Sequence, residues 1–291
     1  MVITPPDSEV PSAEVSLNLD DLDDNRFIEI MLEEEIDSLP SALELMFVID
    51  TTGSMGDELK YITTEFESII ETIQTEYDEV SMRFGLVLYR DVGDVGDVGD
   101  VGDVGDVGDV GDVGDEYVVR NFDFTDSIDE MKNQLADQVA SGGGDYPAAM
   151  EQGLSTALNA QWVGGNAARL LFLVTDAPPH DENLSDSFIL AQTARQIGVN
   201  IYPLAASGVA DIAENLMRSM AIITHGRYLF LTDDSGVGNS HAEPSIPCYV
   251  VTRLDSLIVR IISSALSGNR VEPEEEQIIR EVGTYMEGEC S

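Results

Sequence analysis

The sequence predicts an α/β fold in which a doubly wound, mostly parallel sheet is flanked by helices. Apolar runs of strand length alternate with amphipathic segments of helical spacing throughout the central part of the chain. The runs that end at Asp50 and Thr175 are continuously apolar, as in strands that helices cover on both faces. Because no apolar run approaches the roughly 18 residues of a membrane span, we expect no transmembrane segment.

The first elements follow the clearest pattern. A strand from Leu43 to Asp50 leads into a helix whose apolar residues recur at helical spacing from Met55 to Ile73. By the same criteria of apolar period and flanking turn residues, the later elements are a strand at 82–89, an edge strand at 117–124, helices at about 128–140 and 147–159, a strand at 169–175, a helix at 186–197, a strand at 199–205, a helix at 210–221, a strand at 227–231 and a last helix over 254–266.

Composition divides the chain into a folded centre and acidic ends. Residues 1–41 are rich in Pro, Ser and acidic residues and are predicted to be largely disordered, apart from a short helix over 27–36. Residues 42–267 form the predicted domain, and residues 268–291 form a loosely attached acidic tail. Between residues 92 and 115 the triplet Val-Gly-Asp is repeated eight times. We interpret it as a low-complexity loop insertion, with a dedicated calcium-binding device as the alternative.

Net charge limits the classes of partner. The chain carries 14 basic and 56 acidic residues, a formal charge of −42. A surface this acidic repels phosphate backbones, so nucleic-acid binding is disfavoured, while basic partners and divalent cations are favoured.

Cysteine content and the N-terminus bear on the compartment. Cys248 and Cys290 are the only cysteines, and the sequence leaves open whether they form a disulfide or remain thiols. The N-terminus shows neither a basic region nor an apolar core of a signal peptide. A cytoplasmic location is therefore the default expectation, and export is the alternative if the start is truncated.

The end of the first strand carries a carboxylate and two hydroxyls. Asp50 is followed by Thr52 and Ser54 on a turn that leads into the first helix. Oxygen ligands at this spacing point at one spot, which suits Mg²⁺ or Mn²⁺. Thr and Ser after a strand are also common helix N-caps, so this stretch alone leaves both interpretations open.

Two later segments add oxygen ligands. In residues 142–147 three glycines precede Asp145, and Pro147 suits the first position of a helix. The strand that ends at Thr175 is followed directly by Asp176. Because open α/β sheets gather such ends at one edge, we expect these carboxylates to lie near the first motif. Capping of the next helix is the alternative role for Asp145.

Together these segments resemble the von Willebrand factor A domain and its metal-ion-dependent adhesion site, whose signature is Asp-x-Ser/Thr-x-Ser, then a loop Thr, then a strand-end Asp. The resemblance covers about residues 40–267. The residues that match the signature are Asp50, Thr52, Ser54 and Asp176. Where most A domains carry the loop Thr, this chain carries Asp145, and in this it resembles bacterial A-domain proteins with a Gly-Gly-Gly-Asp loop.

The resemblance implies a Rossmann-like domain that binds Mg²⁺ or Mn²⁺, with Ca²⁺ as a further candidate, and that holds a protein ligand at the metal. It implies direct ligation by Thr52 and Ser54, and ligation by Asp50 and Asp176 either directly or through water. With Asp145 three carboxylates face one dication, and the formal sum becomes −1. A partner carbonyl, a partner hydroxyl or water is then favoured over an acidic partner side chain.

The sequence therefore predicts a non-enzymatic protein-binding module, for adhesion or as a scaffold, with an unidentified protein ligand. One alternative is a subunit that couples to a separate ATPase; the chain itself has no Gly-x-x-x-x-Gly-Lys-Ser/Thr loop, so no nucleotide is expected. A more remote alternative is an aspartyl-phosphate phosphotransferase with Asp50 as nucleophile. That chemistry needs a lysine near the phosphoryl group, and neither Lys60 nor Lys132 follows a strand end.

Overall fold

The computed structural model describes residues 2–3, 13–14, 39–91, 117–142, 146–206, 209, 211–236, 241, 243, 246–286 and 289–290. The chain divides into a unit of residues 1–39 and a larger unit of residues 40–291. In the first unit, strands β1 (Val2–Ile3) and β2 (Ala13–Glu14) pair antiparallel. The predicted helix at 27–36, the Val-Gly-Asp repeat and Asp145 lie outside the described residues.

The larger unit is built on a six-stranded sheet, which confirms the predicted α/β class. Its strands are β3 (Ala42–Asp50), β4 (Ser81–Tyr89), β5 (Val119–Thr125), β6 (Ala167–Thr175), β7 (Val199–Ala205) and β8 (Leu229–Phe230). Their order across the sheet is β5-β4-β3-β6-β7-β8. Every neighbouring pair is parallel except β4 and β5, which are antiparallel. The antiparallel β5 lies at one edge, as its sequence predicts.

Helices cover both faces of this sheet. They are α1 (Gly56–Glu76), α2 (Ile128–Ala136), α3 (Met150–Leu158), α4 (Leu184–Gln196), α5 (Asp211–Thr224) and α6 (Leu254–Ser267). Alternate residues of β3 enter different cores, because side chains along a strand point to opposite faces. Phe47 packs with residues of α1, α2 and α6, whereas Val48 packs with residues of α3, α4 and α5. In the described part of the chain no helix is long and apolar enough to cross a bilayer.

The second helix is shorter than predicted. Helix α2 ends at Ala136, whereas the sequence predicts a helix to about residue 140. The following residues bond to the ends of central strands instead: the Val139 carbonyl accepts from Arg90 Nη2 at 2.9 Å, and the Ser141 N–H donates to the Thr51 carbonyl at 3.0 Å. These contacts with the sheet replace further helical turns.

The C-terminal segment differs from the predicted loose tail. Strand β9 (Tyr249–Val251) pairs antiparallel with β10 (Arg280–Val282), and β11 (Tyr285–Met286) pairs with β12 (Glu289–Cys290). A disulfide joins Cys248 to Cys290, with their Cα atoms 5.8 Å apart. The composition of this segment is acidic, yet the backbone pairing and the disulfide attach it to the domain.

The strand register positions the site. Asp50 pairs with Tyr89 across β3 and β4, and Ile49 pairs with Val174 across β3 and β6. The three central strands therefore end together. Asp50 is the last residue of β3 and Asp176 directly follows β6, so both lie at neighbouring strand ends. The chain also leaves β4 toward the repeat at this same edge.

Candidate metal centre

Asp50 is the buried centre of the site. Asp50 is the last residue of β3, and its side chain has no exposed surface. Oδ1 accepts the Thr52 backbone N–H at 2.9 Å and the Thr52 hydroxyl at 2.7 Å, and Oδ2 accepts the Thr175 hydroxyl at 3.1 Å. Burial raises the pKa of Asp50 to about 7, and the nearby Asp176 carboxylate acts in the same direction while the hydrogen bonds oppose it.

The two hydroxyls predicted as ligands do not cap the helix. Thr52 is buried, its hydroxyl donates to Asp50, and it forms no side-chain cap bond to the short 3₁₀ turn Gly53–Met55. Ser54 lies in that turn, is exposed, and donates to the Asp176 carboxylate. A hydroxyl that donates its hydrogen to a carboxylate keeps its lone pairs for a cation. Thr52 therefore does not act as a side-chain cap, and Met55 holds the N-cap position of α1.

Asp176 is the fourth described residue of the candidate site, after Asp50, Thr52 and Ser54. It directly follows β6, and only 8% of its surface is exposed. Burial raises its pKa, the hydrogen bond from Ser54 lowers it, and the Asp57 carboxylate raises it. Among the described residues no basic side chain forms an ion pair with Asp50 or Asp176.

The residues on both sides of the glycine turn are bonded to the site. The Gly142 carbonyl accepts the Gly53 N–H at 3.1 Å, and the Tyr146 hydroxyl donates to the Asp176 carbonyl at 3.0 Å. Gly142 has a φ of 79°, a backbone conformation that favours glycine. Pro147 is not the first helical residue, because α3 begins at Met150. Asp145 itself lies outside the described residues.

Residues outside the signature also support the site. Thr175 donates to Asp50, and its position immediately before the strand-end aspartate is the signal that could have identified it. Asp91 Oδ1 lies 2.7 Å from His180 Nε2 and accepts its hydrogen in the tautomer that carries one there, so this pair links the end of β4 to the segment after β6. Both residues follow strand ends at this edge, but sequence periodicity does not show that they pair.

The residues present fit a hard divalent cation. The described ligand atoms are two carboxylates and two hydroxyls, all oxygens of the kind that Mg²⁺, Mn²⁺ and Ca²⁺ prefer. The Asp50 carboxylate is buried, and Asp176 repels it rather than neutralising it. A dication at this edge would offset both charges, which is what a buried carboxylate without a basic partner requires.

Comparisons with known proteins agree with this architecture. Residues 44–241 match the family model described as von Willebrand factor type A domain. Among curated proteins, the chain is 22% identical over 149 residues to the alpha-protein kinase vwkA of Dictyostelium discoideum. That alignment covers 50% of this chain and 20% of the kinase, so the chain spans about a fifth of the length of that relative.

A solved structure with a vWF domain shows the same fold at low identity. The vWF domain of the type V pili tip protein Mfa5 from Porphyromonas gingivalis has a TM-score of 0.50 at 12% identity, covering 82% of this chain and 100% of that one. The chain is also similar to BatB, a conserved hypothetical protein from Bacteroides thetaiotaomicron, with a TM-score of 0.48 at 12% identity, covering 78% and 98% of the two chains.

Proposed function

The chain belongs to the von Willebrand factor type A family, and we propose that it is a non-enzymatic binding module that holds a protein ligand through a divalent metal ion. Members of this family often mediate protein–protein adhesion or scaffolding. The observation that carries the proposal is the Asp50 carboxylate, which is fully buried, fixed by three hydrogen bonds and adjacent to a second carboxylate. A divalent cation would offset both charges.

The proposed site is a metal-ion-dependent adhesion site. Thr52 and Ser54 ligate the ion directly, and Asp50 and Asp176 ligate it directly or through water. Asp145 is the fifth proposed ligand, because it stands at the loop position of the signature. The oxygen ligands favour Mg²⁺ or Mn²⁺, with Ca²⁺ as a further candidate. The bound ion supplies a coordination position that a ligand oxygen can occupy.

Charge defines the proposed ligand. Three carboxylates around one dication leave a formal charge of −1, so an acidic side chain of the partner would be repelled. A backbone carbonyl or hydroxyl oxygen is a better ligand for this ion. The net charge of −42 adds a long-range preference for a basic partner surface. We therefore propose a protein segment that presents a neutral oxygen, flanked by Lys or Arg.

The geometry also argues against phosphotransfer. The Asp50 carboxylate has no exposed surface, and both of its oxygens accept hydrogen bonds, so it is poorly placed to attack a phosphoryl group. Lys60 is exposed on α1, and Lys132 forms an ion pair with Glu67 at 2.5 Å. Neither lysine is positioned to neutralise a phosphoryl group beside Asp50.

Calorimetric titration with Mg²⁺ and Mn²⁺ tests the site. We expect one binding event in the wild type, its loss in Asp50→Ala and Asp176→Ala, and a weaker event in Ser54→Ala. Glu79→Ala is the matched control, because it removes an exposed carboxylate just before β4, at the opposite edge of the sheet. Metal binding by both aspartate variants at wild-type affinity would refute the assignment.

Ligand binding needs a separate test. Arrays of basic peptides with neutral or acidic central residues can be probed with the wild-type chain in Mg²⁺, in chelator and with Asp50→Ala. We expect retention on basic peptides only with Mg²⁺ and only with the intact site. Retention that survives both chelator and Asp50→Ala would show that binding does not pass through the metal.

A further inference from the structure

A second cluster of metal-binding groups lies at the start of α1. Asp57, Glu58 and His241 each offer a ligand atom, and these atoms lie within 4.8 Å of one another. Asp57 and Glu58 occupy the first turn of the helix, and His241 lies between β8 and β9 in the sequence. The Glu58 side chain and the His241 side chain are both essentially fully buried, while Asp57 is partly exposed.

The histidine is the informative member of this cluster. His241 Nδ1 has no hydrogen-bond partner among the described residues. Nε2 is in ion-pair contact with Glu58 Oε1 at 3.6 Å, which is longer than a normal hydrogen bond. The backbone of His241 is nevertheless fixed, since its N–H donates to Asp233 Oδ1 at 2.7 Å. A buried ring nitrogen with no hydrogen bond is costly, because its contact with water is lost and nothing in the described part of the chain replaces it.

We propose that Asp57, Glu58 and His241 form a second metal site that takes a borderline divalent ion of the Zn²⁺ class. An imidazole nitrogen with two carboxylates is a mixed ligand set that Zn²⁺ accepts and Mg²⁺ does not prefer. Two carboxylates and a neutral imidazole carry a formal charge of −2, which one dication offsets. The partial exposure of Asp57 gives the ion a route from solvent.

This second site is chemically distinct from the adhesion site, although the two are close along the chain. Ser54 belongs to one ligand set and Asp57 to the other, with only Met55 and Gly56 between them. The first set contains oxygen ligands alone, whereas the second includes a buried nitrogen. An ion in the second site would tie the first turn of α1 to His241.

Zinc binding in the presence of saturating Mg²⁺ tests the proposal. Equilibrium dialysis with elemental analysis should find one Zn²⁺ per wild-type chain, under oxidising conditions that keep the cysteines in their disulfide. We expect His241→Asn and Glu58→Gln each to weaken Zn²⁺ binding by about tenfold or more. Even loss of a residue that only orients a metal ligand lowers metal affinity by about that factor. His225→Asn is the matched control, since it removes an exposed histidine at a positive φ that Asn tolerates.

Asp50→Ala separates this proposal from the preceding one. Asp50→Ala should lose Mg²⁺ binding and keep Zn²⁺ binding, while His241→Asn should lose Zn²⁺ binding and keep Mg²⁺ binding. Failure of one proposal can therefore be distinguished from failure of the other. If the variants do not fold, anomalous diffraction at the zinc edge on wild-type crystals decides the matter, with an ion expected in bonding contact with the His241 ring. Absence of that ion, or wild-type zinc affinity in folded His241→Asn, would mean that the cluster is a buried histidine–carboxylate pair.

Discussion

Replacing Asp50 by Asn should stabilise the metal-free protein and abolish its response to metal. The carboxylate is completely buried, and its pKa is raised from 3.8 to about 7 mainly by that burial. Asn has nearly the same shape and carries no charge. Its oxygen can accept both bonds from Thr52, and its amide can donate to the Thr175 hydroxyl. Thr175 can then donate to the Ala177 carbonyl, which lies 3.1 Å away.

The magnitude follows from the pKa. Each unit of difference between the folded and unfolded pKa values is worth about 1.4 kcal/mol. Ionising Asp50 in the folded, metal-free protein therefore costs roughly 4 kcal/mol. Because the folded pKa is raised, the free energy of unfolding carries no such cost below about pH 4. The full cost has appeared once the pH has risen through 7. At pH 8 we expect Asp50→Asn to gain roughly 2 kcal/mol or more, after allowance for weaker hydrogen bonds.

Denaturant unfolding in chelator and in Mg²⁺ measures both effects. In Mg²⁺ at a hundredfold excess over its dissociation constant, the wild type should gain about 2.7 kcal/mol, and Asp50→Asn should gain nothing. Glu79→Ala serves again as the control for loss of one exposed negative charge. If Asp50→Asn is less stable than the wild type in chelator at pH 8, or is stabilised by Mg²⁺ to the same extent, the reasoning from burial and charge fails.

Three further predictions concern the scaffold. In Gly153→Ala the new Cβ would lie 2.7 Å from Tyr89 Cδ1, so we expect a loss of about 1–3 kcal/mol in urea unfolding, although Ala favours helix; a gain would contradict the close packing. Deleting seven of the eight triplets in residues 92–115 should leave the melting transition cooperative and speed association of acidic ligands at low salt, and unfolding on deletion would refute this. Cys248→Ser should lose up to about 4 kcal/mol of stability, because the unfolded chain is no longer closed into a loop, but it should bind Mg²⁺ normally. Impaired Mg²⁺ affinity would show that the disulfide supports the metal site.

The loop prediction has structural support at the flanking residues. The Arg90 N–H donates to the Val118 carbonyl at 2.9 Å, and Tyr89 pairs with Val119 in the antiparallel ladder. The two strands are therefore already held together where the repeat leaves and rejoins the sheet. A short turn can close this gap, since antiparallel neighbours need few connecting residues.

The fold could be predicted because its signals are local and periodic. Buried parallel strands require continuous apolar runs, and covering helices require one apolar face, so both appear within a window of a few residues. The end of α2 at Ala136 could not be predicted in this way. Residues 139 and 141 bond to Arg90 and Thr51, and nothing in the local sequence records which distant strand end will offer those partners.

The same distinction separates the two proposed metal sites. The residues of the first site follow strand ends, and the topology of a parallel sheet brings such ends to one edge, so a local pattern together with a general rule was enough to select Asp50 and Asp176. His241 follows no strand directly and belongs to no periodic segment. Its position beside Glu58 is a contact between residues far apart in the sequence, which no local pattern records. A site of that kind becomes visible only when burial and missing hydrogen bonds can be examined in the folded chain.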